Sequence, residues 1–301
     1  MPAINEEISV KAFRSVWLAL AGFWLICLLS YPALADEYRI ENVKGSVYRF
    51  VDDRHRSLFV VGKSGILVVD TLNAPAAKWL SAELERRFHL PVRYVVYSHN
   101  HSDHIYGAEA FQNPHTVFIA QELARQDIVV TKAATVVPDL TFKQQMTVTL
   151  DDHTIELRYH GPNDGRGSIS VLVKPEKVLF VADWIVLGRM PWQKLWSYDI
   201  QGVINSTHEV LDLGFDVFIG GHGTVGNRAG VERYLKYMET LYAEVAKGAL
   251  AGKSLKEMQQ EIRLDDYKDL EHYEEWLPLN IEGVYERLME ESGMGWRPDI
   301  P

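Results

Sequence analysis

Cysteine is nearly absent: a single one, Cys27, stands in 301 residues. Without a second thiol the chain closes no disulfide on itself, and zinc sites built from several thiolates are excluded as well. An excess of basic charge is also missing. Lys and Arg total 31 against 41 Asp and Glu, a formal net charge of −10, which argues against nucleic acid, a polyanion, as a partner. Long hydrophobic runs do not occur either. The apolar stretch Val16–Leu29, "VWLALAGFWLICLL", has 14 residues, short of the ~20 needed to span a bilayer. No internal repeat or low-complexity segment stands out.

Lys11 and Arg14 precede that stretch, and "SYPALADE" follows it with Ala33 and Ala35 in an A-x-A arrangement. This is the pattern of a secretory signal peptide over residues 1–35, with cleavage expected after Ala35 and a periplasmic or secreted product. The rival reading is a retained anchor, and Glu6 and Glu7 are unusual at such a start. Ile26 before Cys27 does not suit a lipoprotein signal. Cleavage leaves 301 − 35 = 266 residues, 36–301, with no cysteine and no stable membrane span. That composition suits an oxidising compartment, where an idle thiol is a liability. The length suits one large domain with a full core and a helical C-terminal segment.

Strands and helices are interleaved. Residues 46–53, 57–62 and 65–71 read as strands separated by turn residues, and 92–99, "VRYVVYSH", as a strand rich in β-branched and aromatic residues. Residues 75–89 place Trp79, Leu80 and Leu84 at helical spacing, with Pro75 suited to the first turn. A short helix is expected over 107–113 and a strand over 116–121. Residues 146–161 read as two strands around Asp151-Asp152, and 168–183 as a hairpin turning at Pro175. Residues 200–214 read as a helix, and 215–223 as a strand running into a glycine loop. The chain is mostly helical from Ala229, with Ser254 placed to cap a helix. Two β-rich halves, each followed by helices, predict an α+β fold, a four-layer αββα sandwich.

The densest chemistry is "SHNHSDH", residues 98–104. His99 and His101 are two apart, so on a helix they diverge by about 200°, whereas at a strand end they fall on one side and reach one ion. Asp103 and His104 follow immediately. Asp183 closes the apolar strand "VLFVAD", and His222 closes "VFIGGHG" between Gly221 and Gly223, whose freedom lets an imidazole approach closely. Imidazole and carboxylate donors without thiolate suit zinc, and also iron or manganese.

"SHNHSDH" resembles the H-x-H-x-D-H motif of the metallo-β-lactamase superfamily. "GILVVDT" resembles that superfamily's opening strand with Asp70 at its acidic end, Asp183 matches the bridging aspartate, and His222 the last histidine. The order agrees over about residues 60–225. The resemblance implies the αββα fold and two divalent ions, zinc foremost, sharing a hydroxide that attacks an ester, lactone, thioester, amide or phosphate ester. It implies His99 and His101 on one ion, Asp103 and His104 on the other, and Asp103 as both ligand and orienting acceptor. Asp70 would hold a ligand histidine by its free N–H, or serve as a turn or cap residue.

One departure stands out. The family usually supplies a histidine from a segment like G-P-x-H-x-x-G, and here "HGPNDGRGS" (160–168) puts Asp164 in its place. Asp164 is a ligand in its own right; or the first site is weak or empty, leaving one ion held by Asp103, His104, Asp183 and His222; or His160 swings in. Arg166 nearby offsets the added charge, binds an anionic substrate group, or is a solvated loop residue.

After Asp183 come Trp184, Met190, Trp192, Trp196 and Tyr198, expected either to form an apolar substrate wall, with Trp184, Trp192 and Trp196 foremost, or to pack the loop onto the core or a partner. Tyr273 and Trp276 are expected in a lid or an ordinary packing helix. His55, His89, His115, His153, His208 and His272 are expected to be surface or capping residues, and Asp52-Asp53 a hairpin turn. The functional expectation is a secreted metal-dependent hydrolase of a small, hydrophobic molecule. A β-lactamase proper, and a metal-binding or redox member with an altered first site, are the alternatives. Oligomeric state leaves no trace in the sequence.

Overall fold

The computed structural model describes residues 38–292; the expected signal peptide lies outside the described residues. Strands covered on both faces read as unbroken apolar runs, and "ILVV" and "VLFV" are such strands, buried at every position. They belong to two sheets. The first has the order β1 (Tyr38–Lys44), β2 (Val47–Asp52), β3 (His55–Val61), β4 (Ile66–Val69), β5 (Val92–Val96), β6 (Val117–Gln121) and β7 (Leu140–Phe142). It is antiparallel through β4 and parallel from β4 to β7. The second has the order β12 (Val217–Gly220), β11 (Val178–Val181), β10 (Ile169–Lys174), β9 (His153–Tyr159) and β8 (Gln145–Leu150), with only β11–β12 parallel.

The side-chain period of two sorts each strand between layers. Val171 and Val173 on β10 join Val60, Leu67, Val69 and Phe180 in the core between the sheets. Leu172, on the opposite face of β10, joins Leu179 and Phe218 beneath the helices α4 (Ile200–Leu211), α5 (Arg228–Leu250) and α7 (Tyr273–Glu291). On the far side, Phe59, Val68 and Val95 meet Ala76, Leu80 and Leu84 of α1 (Ala74–Phe88) and Ala124 and Ile128 of α3 (Glu122–Thr131). The expected αββα sandwich is the observed one. Each fully buried Leu, Val or Phe contributes roughly 1.5–3 kcal/mol, so three such layers hold the sheets' edges in register.

Local signals acted where expected. Asn73 caps α1 with Pro75 in its first turn. Ser254 and Glu257 form a capping box on α6 (Leu255–Glu261), satisfying two otherwise orphaned backbone donors. Asp53 and Asp151 sit at hairpin tips with φ of 45° and 53°, a region aspartate tolerates. One element differs from expectation, and two others lie where no element was expected. Residues 108–111 form a 3-10 turn rather than a longer helix. Helix α3 carries "IVVT", a run that reads as strand, yet Gln121 caps it and Ala124 and Ile128 anchor it. β7 is too short to show a pattern.

Candidate active site

Parallel strands from both sheets end at one edge, and the polar side chains sit where the chain leaves them. Asp70 follows β4. The loop after β5 carries His99 and His101 into the single turn α2 (Ser102–Ile105), which carries Asp103 and His104. Asp183 follows β11 and His222 follows β12. Backbone bonds lock these exits together: Thr71 and Leu72 N–H donate to His104 O at 2.8 and 2.9 Å, and Ile169 N–H to Ser98 O at 2.9 Å. Gly221 permits the closest approach, since a Cβ there would lie 2.7 Å from His104 Cε1 and 3.0 Å from Ala182.

Asp183 stands at the centre. Its Oδ2 lies 3.1 Å from His99 Nε2 and 3.2 Å from His101 Nδ1; its Oδ1 lies 3.0 Å from His104 Nε2 and 3.3 Å from His222 Nε2. The outward nitrogens fix which ring atoms carry hydrogen. His104 Nδ1 faces Asp70 Oδ2 at 3.0 Å, and His222 Nδ1 faces the carbonyl of Arg54 at 2.8 Å. Ser98 Oγ donates to Asp70 Oδ2 at 2.6 Å and so accepts from His99 Nδ1 at 2.8 Å. With these three Nδ1 atoms as donors, the rings in their neutral form turn Nε2 lone pairs toward carboxylate oxygens. Asp183 Oδ1 is buried and makes no hydrogen bond. Acceptors facing acceptors in a buried place call for a cation, and the donor set fits a divalent metal.

Of three donor groups with the spacing to hold one, Asp70, His99 and His104 are tied together by the hydrogen bonds just described, which leaves two. Asp103, His104, Asp183 and His222 offer ligand atoms within 4.8 Å of one another, as do His99, His101 and Asp183. Asp183 is common to both. Asp164 is brought to the same cavity, buried, but outside these groups: its Oδ1 lies 3.9 Å from His101 Nε2, the nitrogen other than the one facing Asp183, and accepts from Ser197 Oγ. His160 does not reach the site. It is held by Glu209 Oε2 and Ser170 Oγ, both at 2.8 Å, and packs on Trp184, so the expectation that it swings in is overturned. Arg166 pairs with Asp127 on the surface.

Electrostatics follow this packing. Burial raises the Asp164 carboxyl, against the pull of His101, to about 7. Burial would also raise Asp183, but His104, His99 and His222 outweigh it and hold it well below the carboxylate range. Burial lowers His99, whereas His101, despite burial, is lifted to about 9 by Asp183, Asp164 and Asp103. Without a metal, protons are the cations these carboxylates gather.

A cavity of ≈ 630 Å³ opens over the cluster. Trp192 and Trp196, 40% and 54% exposed, line it together with Tyr198. Trp184 does not. Successive residues of an extended chain project to opposite sides; Asp183 takes the cavity and Trp184 is fully buried among the helices with Met190. Tyr273 is likewise core, while Trp276 lines the cavity. Two histidines expected on the surface were missed. His55 Nε2 lies 3.3 Å from Asp103 Oδ2, and its ring meets that of His222 edge-on at 5.1 Å. His272 stacks on Trp276 at 4.1 Å. For His55 the long-range Arg56 N–H to Gly221 O bond of 2.8 Å does the placing, and no local pattern announces it.

A family model described as the metallo-beta-lactamase superfamily matches residues 51–222. The 2,4-dinitroanisole O-demethylase subunit alpha of Nocardioides sp. (strain JS1661) is 29% identical over 190 residues, 60% of this chain and 56% of its own length. The chain thus spans about half of that curated relative. Among solved structures, a metallo-beta-lactamase from Pontibacter korlensis aligns over 67% of this chain and 99% of its own, with TM-score 0.61 and 18% identity. A double mutant of the sec-alkyl sulfatase PisA1 aligns over 87% of this chain and 53% of its own, with TM-score 0.69 and 19% identity. At such identities the two structures show the shared fold.

Proposed function

The chain belongs to the metallo-β-lactamase superfamily, and we propose that it is a metal-dependent hydrolase acting on an ester, lactone or related bond of a hydrophobic small molecule. The observation that carries this is Asp183, whose two oxygens each face a pair of histidines. His99, His101 and Asp183, with Asp164 beside them, would hold one divalent ion, and Asp103, His104, Asp183 and His222 the other; zinc suits the all-N/O donors. Bound there, such ions supply hydroxide at neutral pH by lowering the pKa of coordinated water from 15.7 to about 7.

The chain's own groups do the rest. Asp70 fixes the rings of His104 directly and His99 through Ser98, so that Nε2 of each faces Asp183. Asp103 Oδ2 lies 3.3 Å from His55 Nε2 and 3.6 Å from His222 Nε2 at the cavity floor and would orient the attacking oxygen. Trp192, Trp196 and Tyr198 offer an apolar wall that seats the substrate body and excludes water from the reacting bond. The relatives' printed activities, removal of an O-methyl group and cleavage of an alkyl sulfate, support a scissile bond to oxygen. Secretion to the periplasm is part of the proposal and rests on the sequence of residues 1–35.

The test is a panel of aryl esters, lactones, an alkyl sulfate and nitrocefin, assayed with the zinc-loaded protein. The expected result is turnover of at least one ester or lactone, abolished by chelation and restored by zinc. No turnover across the panel with metal bound would refute the hydrolase reading; turnover of nitrocefin alone would identify a β-lactamase.

A further inference from the structure

Arg189 lies six residues after Asp183, on the wall of the same cavity. The backbone around it is held to the segment preceding α7: Met190 N–H donates to Glu271 O at 3.0 Å and Glu271 N–H to Gly188 O at 3.1 Å. The guanidinium carbon lies 5.4 Å from the ring centroid of Trp276 and 5.8 Å from that of Trp192. Those two rings meet edge-on at 5.0 Å, and His272 stacks behind Trp276. The two aromatic faces stabilise the cation but accept none of its hydrogen bonds in the way an oxygen does.

Most arginines elsewhere have oxygen partners; Arg93 and Arg158 lack one too, but neither lines the cavity. Arg49 meets Glu41, Arg233 meets Asp269, and Arg56, also on the cavity, reaches the carbonyls of Asp53 and His55. Arg189 is partly buried, yet among the described residues its guanidinium has no hydrogen bond and no ion pair. Trp276 Nε1, beside it, is buried and equally without an acceptor. A planar guanidinium fork that opens on a cavity without a protein acceptor is shaped for a carboxylate or another oxyanion. The missing acceptor would come from whatever fills the cavity.

We propose that Arg189, framed by Trp192 and Trp276, is the subsite for an anionic group on the substrate, which is therefore an amphipathic organic anion. Its apolar or aromatic body rests on the tryptophans, its carboxylate or sulfonate is held by Arg189, and its scissile bond lies over Asp183. This rests on reading the cavity as a substrate site, and the test reads binding rather than turnover, so the two ideas fail separately.

The experiment is isothermal titration of the full-length protein, zinc-loaded and chelator-treated, with 2-naphthoate, 2-naphthalenesulfonate and the neutral isostere 2-naphthamide. The wild type is expected to bind at least one anion tenfold or more tighter than the amide, and to keep most of that preference after chelation. Arg189→Gln is expected to reduce the preference below threefold. Arg189→Lys, which keeps the charge without the planar fork, is expected to lose at least threefold of it and serves if the glutamine variant does not fold. Arg86→Gln, at an exposed arginine paired with Glu83 on α1 and away from the cavity, is expected to leave it unchanged. Equal binding of anion and amide by the wild type overturns the proposal. So does a preference that survives either Arg189 substitution, one that vanishes on chelation, or one that disappears in Arg86→Gln.

Discussion

Replacing Asp70 by asparagine changes one atom of a fully buried carboxylate that accepts three hydrogen bonds. Ser98 N–H donates to Oδ1 at 2.7 Å, and Ser98 Oγ and His104 Nδ1 approach Oδ2 at 2.6 and 3.0 Å. An amide offers one oxygen and one NH2. If the NH2 takes the Oδ2 place, it faces two donors; His104 then moves its hydrogen to Nε2, the atom that points at Asp183 Oδ1. If the NH2 takes the Oδ1 place, it faces the Ser98 N–H, and a buried donor is left unsatisfied at a cost of about 1–3 kcal/mol. Loss of a partner that orients a ligand typically lowers metal affinity 10–100-fold, about 1.4–2.7 kcal/mol. Competition against a chromophoric chelator is therefore expected to show a 10–100-fold weaker second ion, or urea unfolding of the metal-free protein to show a loss of about 1–3 kcal/mol. A folded Asp70→Asn protein with wild-type stability and zinc affinity within twofold of wild type would refute this account of how the rings are fixed.

Trp184→Ala, deep in the helix-covered core, is expected to lower stability by about 3–5 kcal/mol in urea unfolding. Trp192→Ala, at the cavity mouth, should cost under about 1 kcal/mol and instead raise KM for aryl esters; equal stability losses would contradict the opposite placement of the two rings. Gly221→Ala puts a methyl 2.7 Å from His104 Cε1, so the purified variant should carry less metal than wild type by elemental analysis while its far-UV circular dichroism is unchanged. His101 is lifted to about 9 in the metal-free site, so a proton must leave before an ion binds. Zinc affinity is then expected to tighten as pH rises from 6 and to level off above about 9; an affinity flat across that range would contradict it.

Much of this was legible from residue order because the chemistry sits at strand ends. Apolar runs such as "VLFV" mark strands wherever they pack, and the first polar residue after each, Asp70, Asp183 or His222, is where the chain leaves the sheet. His99 to His104 are close in sequence, so local geometry alone brings them together. What was not legible depends on distant contacts. His55 reaches Asp103 only because the start of β3 bonds to Gly221 across the two sheets. Trp184 and Trp192 look alike in sequence, and only the helices packed over the second sheet decide which one is core. Arg189 is distinguished by the partners it lacks, a property of the folded chain. Helix α3 was hidden because "IVVT" favours strand on its own, and the apolar contacts of Ala124 and Ile128 override that preference.

The central claim is that Asp183 stands between two cations. Elemental analysis of the wild-type protein purified with zinc and dialysed, set beside Asp183→Asn, tests it most directly. The account predicts about two divalent ions per wild-type chain and loss of at least one in the variant, because each oxygen of Asp183 faces a separate pair of histidines. A wild-type chain that retains no metal, or an Asp183→Asn protein that retains as much as wild type, would contradict it.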